Sequence, residues 1–358
     1  MPQPTSISPT NTKRVHRISW SKSLVKLLKA RFFNKKFPHS VSFNITYHCN
    51  LRCQYCASYE DRAPEMSTDQ IFQMIDEFVE MGTMQFSITG GEPMLRKDLA
   101  KIVSHARNQG LFVSVATNGS LVPQRLDYLI DANSVNMTLD GPEEIHDLQR
   151  GKGDFKKVIR AAELLKENKI FFYINVVLTK NNCSRLPELL AIARSLQIRM
   201  MLQPVFYSKP SHASDLSGYQ NTKYEDKEFL KTLDQLIEEK KKGNPHLLLS
   251  KTYYEDVKKN IQRKTKIVCK NGGGLFSTVS PEGNVTPCNL LVKGSRWNNG
   301  LEIGFRRAYF QMPPINCAGC ISSLIDFDDV YNLKLEPVWN FVRVNIDQLA
   351  PPLKYFMR

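Results

Sequence analysis

The chain has 358 residues, of which 42% are hydrophobic, and a formal net charge of +14. It is long enough for one large domain or two smaller ones, and it shows neither the run of about 20 apolar residues that spans a membrane nor the pattern of a secretory signal peptide. We therefore expect a cytoplasmic protein whose eight cysteines are metal ligands or reactive thiols and not a disulfide framework.

The positive charge is concentrated at the start of the chain. Residues 1–38 contain nine Lys or Arg and no Asp or Glu, which leaves about +5 for the rest and argues against nucleic acid as a partner. Ile18, Val25, Leu28 and Phe32 recur at helical spacing beside lysines, which predicts an imperfectly amphipathic helix. Three interpretations stay open for residues 14–36: peripheral contact with an anionic membrane, a transit peptide, or a helix packed across the remaining fold.

Strand-like and helix-like patterns alternate regularly after this segment. Strands are predicted at residues 41–46, 84–88, 111–116, 135–139, 171–177 and 199–205. Helices are predicted at 68–81, 97–109, 121–131, 154–168, 185–196 and 226–242, with Ser67 and Asn182 as N-terminal caps and Gly110 as a helix stop. Strict alternation requires parallel strands with right-handed crossovers, so the predicted fold class is α/β, a partial (β/α)6 TIM-like barrel over residues 39–206.

Parallel α/β folds bind ligands at the carboxyl ends of their strands, and the sequence has polar motifs there. TGGEP (residues 89–93) follows the second predicted strand, TNG (117–119) the third and TLDGP (138–142) the fourth. Gly90 and Gly91 allow the backbone to approach a ligand and to adopt unusual angles. Glu92 offers a carboxylate to an ammonium group.

Cys49, Cys53 and Cys56 follow the first predicted strand in the stretch NITYHCNLRCQYC. On one loop, their thiolates can converge on one centre, and thiolate ligation favours zinc or an iron–sulfur cluster. A structural zinc site needs a fourth ligand, for which His48 is a candidate. Neighbouring side chains at a strand end point apart, however, which separates His48 from Cys49.

The spacing Cys-x3-Cys-x2-Cys, with Tyr55 before the last cysteine and GGEP further on, resembles the radical S-adenosylmethionine (radical SAM) enzymes over residues 40–206. The resemblance implies that the three cysteines hold three irons of a [4Fe-4S] cluster whose fourth iron binds SAM. It also implies reductive cleavage of SAM to methionine and a 5′-deoxyadenosyl radical that takes a hydrogen atom from the substrate. A flavodoxin- or ferredoxin-type protein is the implied electron donor.

The same resemblance assigns contacts with SAM. GGEP corresponds to the family's contact with the SAM amino group, and TLDG to its SLDG stretch near the ribose, where Thr138 keeps the hydroxyl of the family's serine. HDLQRGKGDF resembles a family stretch in which Arg150 would pair with the SAM carboxylate. Loop capping or a surface ion pair is the alternative for Thr138, Asp140 and Arg150. The full set of expected cofactor-binding residues is Tyr55, Gly90, Gly91, Glu92, Thr117, Asn118, Thr138, Asp140, Arg150 and Asn175.

Four further cysteines, Cys269, Cys288, Cys317 and Cys320, lie near the end of the chain. PEGN, residues 281–284, predicts a tight turn between two short strands before Cys288. This pattern resembles the opening of the SPASM auxiliary-cluster extension without its later cysteines. It implies the shorter Twitch form, a small α+β domain over residues 251–358 with one auxiliary [4Fe-4S] cluster. A four-thiolate zinc knuckle is the alternative.

Residues 207–250 are predicted to be a connecting segment. Within it, residues 207–226 lack periodicity and predict a long loop at the substrate mouth. Tyr207, Tyr219 and Gln203 are candidates for substrate contact or for packing, and Cys183 is given no role.

The expected activity is radical SAM chemistry on an unidentified substrate, a lipid or isoprenoid or another small metabolite, with the auxiliary cluster accepting an electron. One alternative in the same class is maturation of a ribosomally made peptide. An alternative from another class is a zinc-stabilised binding protein without radical chemistry.

Overall fold

A computed structural model of the chain describes residues 36–56, 58–60, 62–204, 227–263, 267–268, 272–289, 297–313, 316–317 and 334–337. The helix predicted within residues 14–36, apart from Lys36, lies outside these residues, as do the loop at 207–226, Cys269 and Cys320. Cys317 is described by its backbone alone. No helix in the described ranges is both long and apolar enough to cross a membrane.

Ten strands are present in the described residues. They are β1 (Ser40–Asn44), β2 (Gln85–Thr89), β3 (Phe112–Thr117), β4 (Ser134–Thr138), β5 (Phe172–Leu178), β6 (Met200–Pro204), β7 (Ile267–Val268), β8 (Phe276–Val279), β9 (Val285–Thr286) and β10 (Asn316–Cys317). Eight of them form one sheet in the order β6-β5-β4-β3-β2-β1-β8-β9, and β7 pairs with β10. All pairs from β6 to β8 are parallel. The predicted parallel α/β fold, with six strands in chain order, is therefore confirmed.

The strand β8 comes from the segment that was predicted to form an auxiliary domain. It pairs in parallel with β1, from Ser40 opposite Phe276 to Phe43 opposite Val279. The predicted hairpin at PEGN is confirmed, because β9 returns antiparallel to β8. The strand that leads into the cysteine loop thus has neighbours on both sides.

The helices follow the predicted alternation, except that one predicted helix is shorter and four further helices are present in the described residues. They are α1 (Thr68–Met81), α2 (Leu99–Asn108), α3 (Val122–Arg125), α4 (Glu143–Arg150), α5 (Asp154–Glu167), α6 (Leu186–Ser195), α7 (Lys227–Lys241), α8 (Lys251–Arg263), α9 (Gly300–Ile303) and α10 (Phe305–Phe310). The helix predicted at 121–131 is only the short α3 followed by a 3₁₀ turn at Leu126–Leu129. The helices α4, α8, α9 and α10 were not predicted.

Two of the three predicted helix boundaries are confirmed. Ser67 caps α1 in a capping box with Gln70, and Gly110 takes a positive φ of 85° just after α2. Asn182 was wrongly predicted as a cap, because its side chain makes no capping hydrogen bond. Its amide nitrogen instead donates to the carbonyl oxygens of Asp140 and Val177, each at 2.8 Å.

The strands of the parallel sheet have one apolar and one polar face. Phe43, Ile88 and Val115 point to the helices and are fully buried in the core. The alternate positions, such as Ser42 and Ser87, line a cavity on the inner face. Because side chains alternate along a strand, this pattern turns the polar residues toward the inside of the partial barrel.

Candidate active site

The inner face of the partial barrel encloses a cavity of about 630 Å³. Its lining includes twelve of the residues that the sequence singled out as ligands: Cys49, Cys53, Tyr55, Cys56, Gly90, Gly91, Thr117, Asn118, Thr138, Arg150, Asn175 and Cys288. Glu92 and Asp140 lie behind this lining, both fully buried. Gln203, a candidate for substrate contact, also lines the cavity and donates to the Asn175 side chain at 3.0 Å.

The three cysteines of the loop after β1 surround one end of the cavity. Burial raises the pKa of Cys49, and burial raises the pKa of Cys53 to about 11. A bound cation reverses this effect because it stabilises the thiolate. Within the described ranges, no three His, Cys, Asp or Glu side chains are close enough to share one metal ion. A [4Fe-4S] cluster puts each thiolate on a different iron, so three thiols around a common space fit such a cluster.

His48, the alternative fourth ligand, is directed elsewhere. Its side chain is 61% exposed and its Nε2 lies 4.0 Å from Glu65 Oε1. It does not belong to the cavity lining. The structure thus separates His48 from the thiols, as the strand-end geometry predicted.

Gly90 and Gly91 pack directly against the backbone of the cysteine loop. The Gly91 N–H donates to the Thr46 carbonyl at 2.7 Å, and the Glu92 N–H donates to the His48 carbonyl at 2.8 Å. A Cβ atom on Gly91 would lie 2.2 Å from the His48 oxygen, and Gly90 has a φ of 140° that favours glycine. The two glycines were predicted to let the GGEP backbone approach a ligand. They also let this backbone contact the cysteine loop and hold that loop in place.

The Glu92 carboxylate bonds to two loops of the protein. It accepts hydrogen bonds from Met94 N at 3.0 Å, Thr117 Oγ1 at 2.8 Å and Asn118 N at 2.7 Å. Burial raises the pKa of Glu92, and these three donors oppose that effect. The carboxylate thus joins GGEP to the TNG loop from below the cavity surface. Contact between Glu92 and a SAM ammonium group stays a prediction.

Asp140 brings Tyr55 and Arg150 together. Its Oδ2 accepts from the Tyr55 hydroxyl and from Arg150 Nε, each at 2.6 Å. Arg150 also donates to the Tyr55 hydroxyl oxygen. Burial alone would lower the pKa of Arg150, but the Asp140 carboxylate outweighs burial and holds that pKa well above its ordinary value. Arg150 is therefore a permanent cation on the cavity wall, beside Cys53, whose pKa it lowers.

A second layer of side chains fixes Asp140 in turn. The Asp140 N–H donates to His146 Nδ1 at 3.1 Å, and His146 Nε2 lies 3.2 Å from the Asp154 carboxylate. Asn182 holds the Asp140 carbonyl, as described above. The sequence motif contained His146 and Asp154, but nothing in their spacing showed that they support Asp140.

Asn118 connects the TNG loop to the cysteine loop. Its amide nitrogen donates to Asn50 Oδ1 at 2.9 Å, and its amide oxygen accepts from the Ser120 N–H at 2.9 Å. Asn50 in turn donates to Ser120 Oγ at 2.8 Å. Asn50 and Ser120 were not predicted, because their role depends on a contact between loops far apart in the sequence.

Cys288 lines the cavity at the end opposite the cysteine loop. Because β9 runs antiparallel to β8, the chain leaves β9 toward the amino ends of β8 and β1. The rise along β1 from Ser40 to Asn44 separates the amino end of this strand, near Cys288, from its carboxyl end, near the cysteine loop, by about 13 Å. Of the other three late cysteines, Cys317 lies in β10 opposite Ile267 of β7, and the rest are outside the described residues.

The structure thus defines an α/β protein, a parallel partial barrel with three cysteines at the carboxyl end of its first strand beside a cavity. Comparison with known proteins agrees. The family model described as the radical SAM superfamily matches residues 43–191. Residues 43–191 therefore form a radical SAM domain.

Individual relatives extend the similarity beyond that domain. The chain is 26% identical over 273 residues to the AdoMet-dependent heme synthase of Oleidesulfovibrio alaskensis, covering 70% of this chain and 69% of that protein. It is 28% identical over 325 residues to the PqqA peptide cyclase of Xanthomonas oryzae pv. oryzae, covering 81% and 82%. Most of both relatives is thus represented in this chain.

Two solved structures share the fold. One is histidine-tagged anSMEcpe with bound AdoMet, with a TM-score of 0.59, 23% identity and coverage of 77% of this chain and 80% of that chain. The other is Streptococcus suis SuiB bound to the precursor peptide SuiA, with a TM-score of 0.59, 19% identity and coverage of 82% and 69%. Both support the partial-barrel architecture.

Proposed function

We propose that this radical SAM enzyme modifies a peptide. The observation that carries the proposal is the cavity under the cysteine loop, into which each strand from β1 to β6 presents an uncharged hydrogen-bonding side chain: Ser42, Ser87, Ser114, Asn136, Asn175 and Gln203. An isoprenoid or lipid chain gains affinity from apolar walls and leaves polar groups without partners here. A peptide supplies donors and acceptors along its backbone. Among the relatives, PqqA peptide cyclase is named for a peptide and SuiB was solved with one.

The residues that would hold the cofactors follow from the positions described above. Cys49, Cys53 and Cys56 would hold the cluster. Arg150, kept charged by Asp140, would pair with the SAM carboxylate. When bound, the cluster and SAM supply a 5′-deoxyadenosyl radical that abstracts a hydrogen atom from an unactivated carbon.

The polar strand ends complete the proposed SAM site. Gly90 and Gly91 present backbone at the same end of the cavity for the SAM amino group. The wall between this end and the interior would meet the ribose and base of SAM. It is lined by Thr117, Asn118, Thr138 and Asn175. Tyr55 would act indirectly, because its hydroxyl orients Arg150.

An auxiliary [4Fe-4S] cluster is the second part of the proposal. Cys288 supports it, since this half-buried thiol reaches the cavity wall at the end far from the cysteine loop. Cys269, Cys317 and Cys320 would supply the other ligands. A cluster there could accept an electron from a substrate radical formed inside the cavity.

Anaerobic reconstitution tests the cofactors. We expect about eight irons per chain, and about four if the late cysteines bind no cluster. Reduced protein should release 5′-deoxyadenosine from SAM, and Cys53→Ala should abolish this release. Zinc without iron after anaerobic purification would contradict the proposal.

A second experiment tests the substrate class. Synthetic peptides encoded by short reading frames beside the gene, and farnesyl diphosphate as the isoprenoid probe, would each be incubated with SAM and reductant. We expect one peptide to change in mass and to stimulate 5′-deoxyadenosine release. Stimulation by farnesyl diphosphate alone would favour the isoprenoid interpretation instead.

A further inference from the structure

Four serines form a row across the floor of the cavity. Ser42 is in register with Ser87, Ser87 with Ser114, and Ser114 with Ser134. They come from the consecutive strands β1 to β4, and all four line the cavity. We call these four residues the serine row.

The serine row departs from the usual inner face of a parallel barrel. Strands of such sheets are rich in Val, Ile and Leu, and branched side chains fill a closed barrel. Serines are too small to fill that space and present hydroxyl groups to it. The arrangement therefore keeps the floor of the cavity open and capable of hydrogen bonding.

Asn136 lies beside the row and has an unused acceptor. It pairs with Ala116 of β3 and Tyr173 of β5, two residues along the strand from the serine row and toward the cysteine loop. Its Oδ1 atom is buried, and among the described residues it has no hydrogen-bond partner. A buried acceptor without a partner is costly, so a ligand that donates to it recovers binding energy there.

The floor of the cavity is also uncharged. In the part of the chain that the structure describes, Arg150 is the one charged residue of the lining. Its guanidinium lies at the cysteine end, held by Asp140. A charged substrate group placed at the serine row would therefore have no counterion and would lose its hydration.

We propose that Asn136 and the serine row form a subsite for an uncharged substrate side chain that both donates and accepts hydrogen bonds, a carboxamide or a hydroxyl. This inference rests on the proposed peptide substrate and specifies which side chain enters the cavity. Rotation of the Asn136 amide about its Cβ–Cγ bond brings the buried Oδ1 to the cavity surface, where the N–H or O–H of that side chain donates to it. The oxygen of that side chain accepts from serine hydroxyls. The subsite thereby orients the carbon that faces the cysteine loop.

Binding of blocked amino acids to the reconstituted, SAM-bound, unreduced enzyme tests this inference without requiring turnover. The probes are the N-acetyl, N′-methylamide derivatives of glutamine, glutamate and leucine, followed by saturation-transfer NMR. We expect the glutamine probe to bind about tenfold more tightly than the other two. Equal affinities, tighter binding of glutamate or leucine, or no binding of any probe at millimolar concentration would overturn the subsite.

Asn136→Leu separates binding from folding. The substitution keeps the number and branching of the side-chain heavy atoms but removes the unpartnered acceptor, so we expect higher thermal stability together with about tenfold weaker binding of the glutamine probe. The matched control is Ser277→Ala on β8, which removes a buried hydroxyl that lacks a partner among the described residues and lies off the cavity. It should leave probe affinity unchanged. Full probe affinity in Asn136→Leu would contradict the proposal, whereas failure of the peptide to react would bear on the proposed function alone.

Discussion

The buried Glu92 carboxylate joins two loops of the site by hydrogen bonds behind the cavity wall. Strand and helix alternation predicted that GGEP follows the second strand, and the motif predicted that it belongs to the site. The partners of the carboxylate could not be predicted, because Thr117 lies 25 residues further along the chain and meets Glu92 only after β2 and β3 pair. At this scale the sequence identifies residue types, and tertiary contacts decide what each side chain bonds to.

Glu92→Gln should lower the free energy of unfolding by about 1–3 kcal/mol, because the amide nitrogen would face an N–H or O–H donor in a buried place. Urea denaturation of the apoprotein measures the change. Glu302→Gln, at an exposed position of α9, is the control and should have little effect. Unchanged stability with weaker SAM binding would show that the carboxylate contacts SAM directly.

Asp140→Asn should be more damaging, because it leaves the Arg150 cation buried without its carboxylate. We expect a loss of about 3–5 kcal/mol in the free energy of unfolding. Asp147→Asn on α4 is the matched control, since Asp147 accepts from backbone N–H groups, among them those of Gly153 and Phe155. Equal losses in the two variants would argue against the charge pair as the cause.

At the scale of elements, Arg96 ties together the two ends of the segment that carries the cysteines. Its Nη1 lies 3.4 Å from the Ile45 carbonyl and 3.1 Å from the Met66 carbonyl. Its Nε and Nη2 donate to the two Asp98 oxygens at 2.9 and 2.6 Å. Burial raises the pKa of Asp98, but hydrogen bonds from Arg96 and Thr68 outweigh burial and hold the pKa below its ordinary value.

Arg96→Met should therefore destabilise the protein in a pH-dependent manner, by about 2 kcal/mol at neutral pH. The folded-state pKa of Asp98 lies below the ordinary value of 3.8, so its contribution is complete above that value and is lost as pH falls through the folded-state pKa. The stability difference from wild type should shrink below about pH 4. Lys166→Met, which removes a bond to the Leu196 carbonyl, should show no such shrinkage. A difference for Arg96→Met that persists in acid would contradict this assignment.

Most elements with a clear apolar period were predicted, but α8 was missed although its buried residues Tyr253, Tyr254, Val257 and Ile261 recur at helical spacing. The six strands and the helices α1, α2, α5, α6 and α7 follow from apolar spacing. The helix α4 escaped prediction because its buried residues are His146, Gln149 and Arg150, which are polar. The place of β8 beside β1 could not be predicted, because no local pattern indicates which distant strand will be its neighbour.

At the scale of the whole molecule, bound clusters should stabilise the folded state, because the unfolded chain lacks the assembled site. Reconstituted protein should unfold at a higher temperature than the same protein stripped of iron by a chelator. Cys53→Ala should lower iron by about four per chain. Cys183→Ser is the control, because the buried Cys183 thiol lies 2.8 Å from the Thr179 carbonyl and off the cavity. Equal iron loss in both variants would contradict the ligand assignment.

The pairing of β1 with β8 also sets an order of events during synthesis. The strands β1 to β6 leave the ribosome well before residues 276–279, so among the described strands β1 stays at the edge of the sheet until β8 has been made. Such an edge exposes N–H and C=O groups that can pair with another chain, and contacts between distant segments form slowly. The loop that carries Cys49, Cys53 and Cys56 is therefore attached to the last part of the sheet to be closed. Iron delivered before β8 is made would meet a sheet whose first strand is unpaired on one side, so we expect synthesis of β8 to precede maturation of the cysteine site.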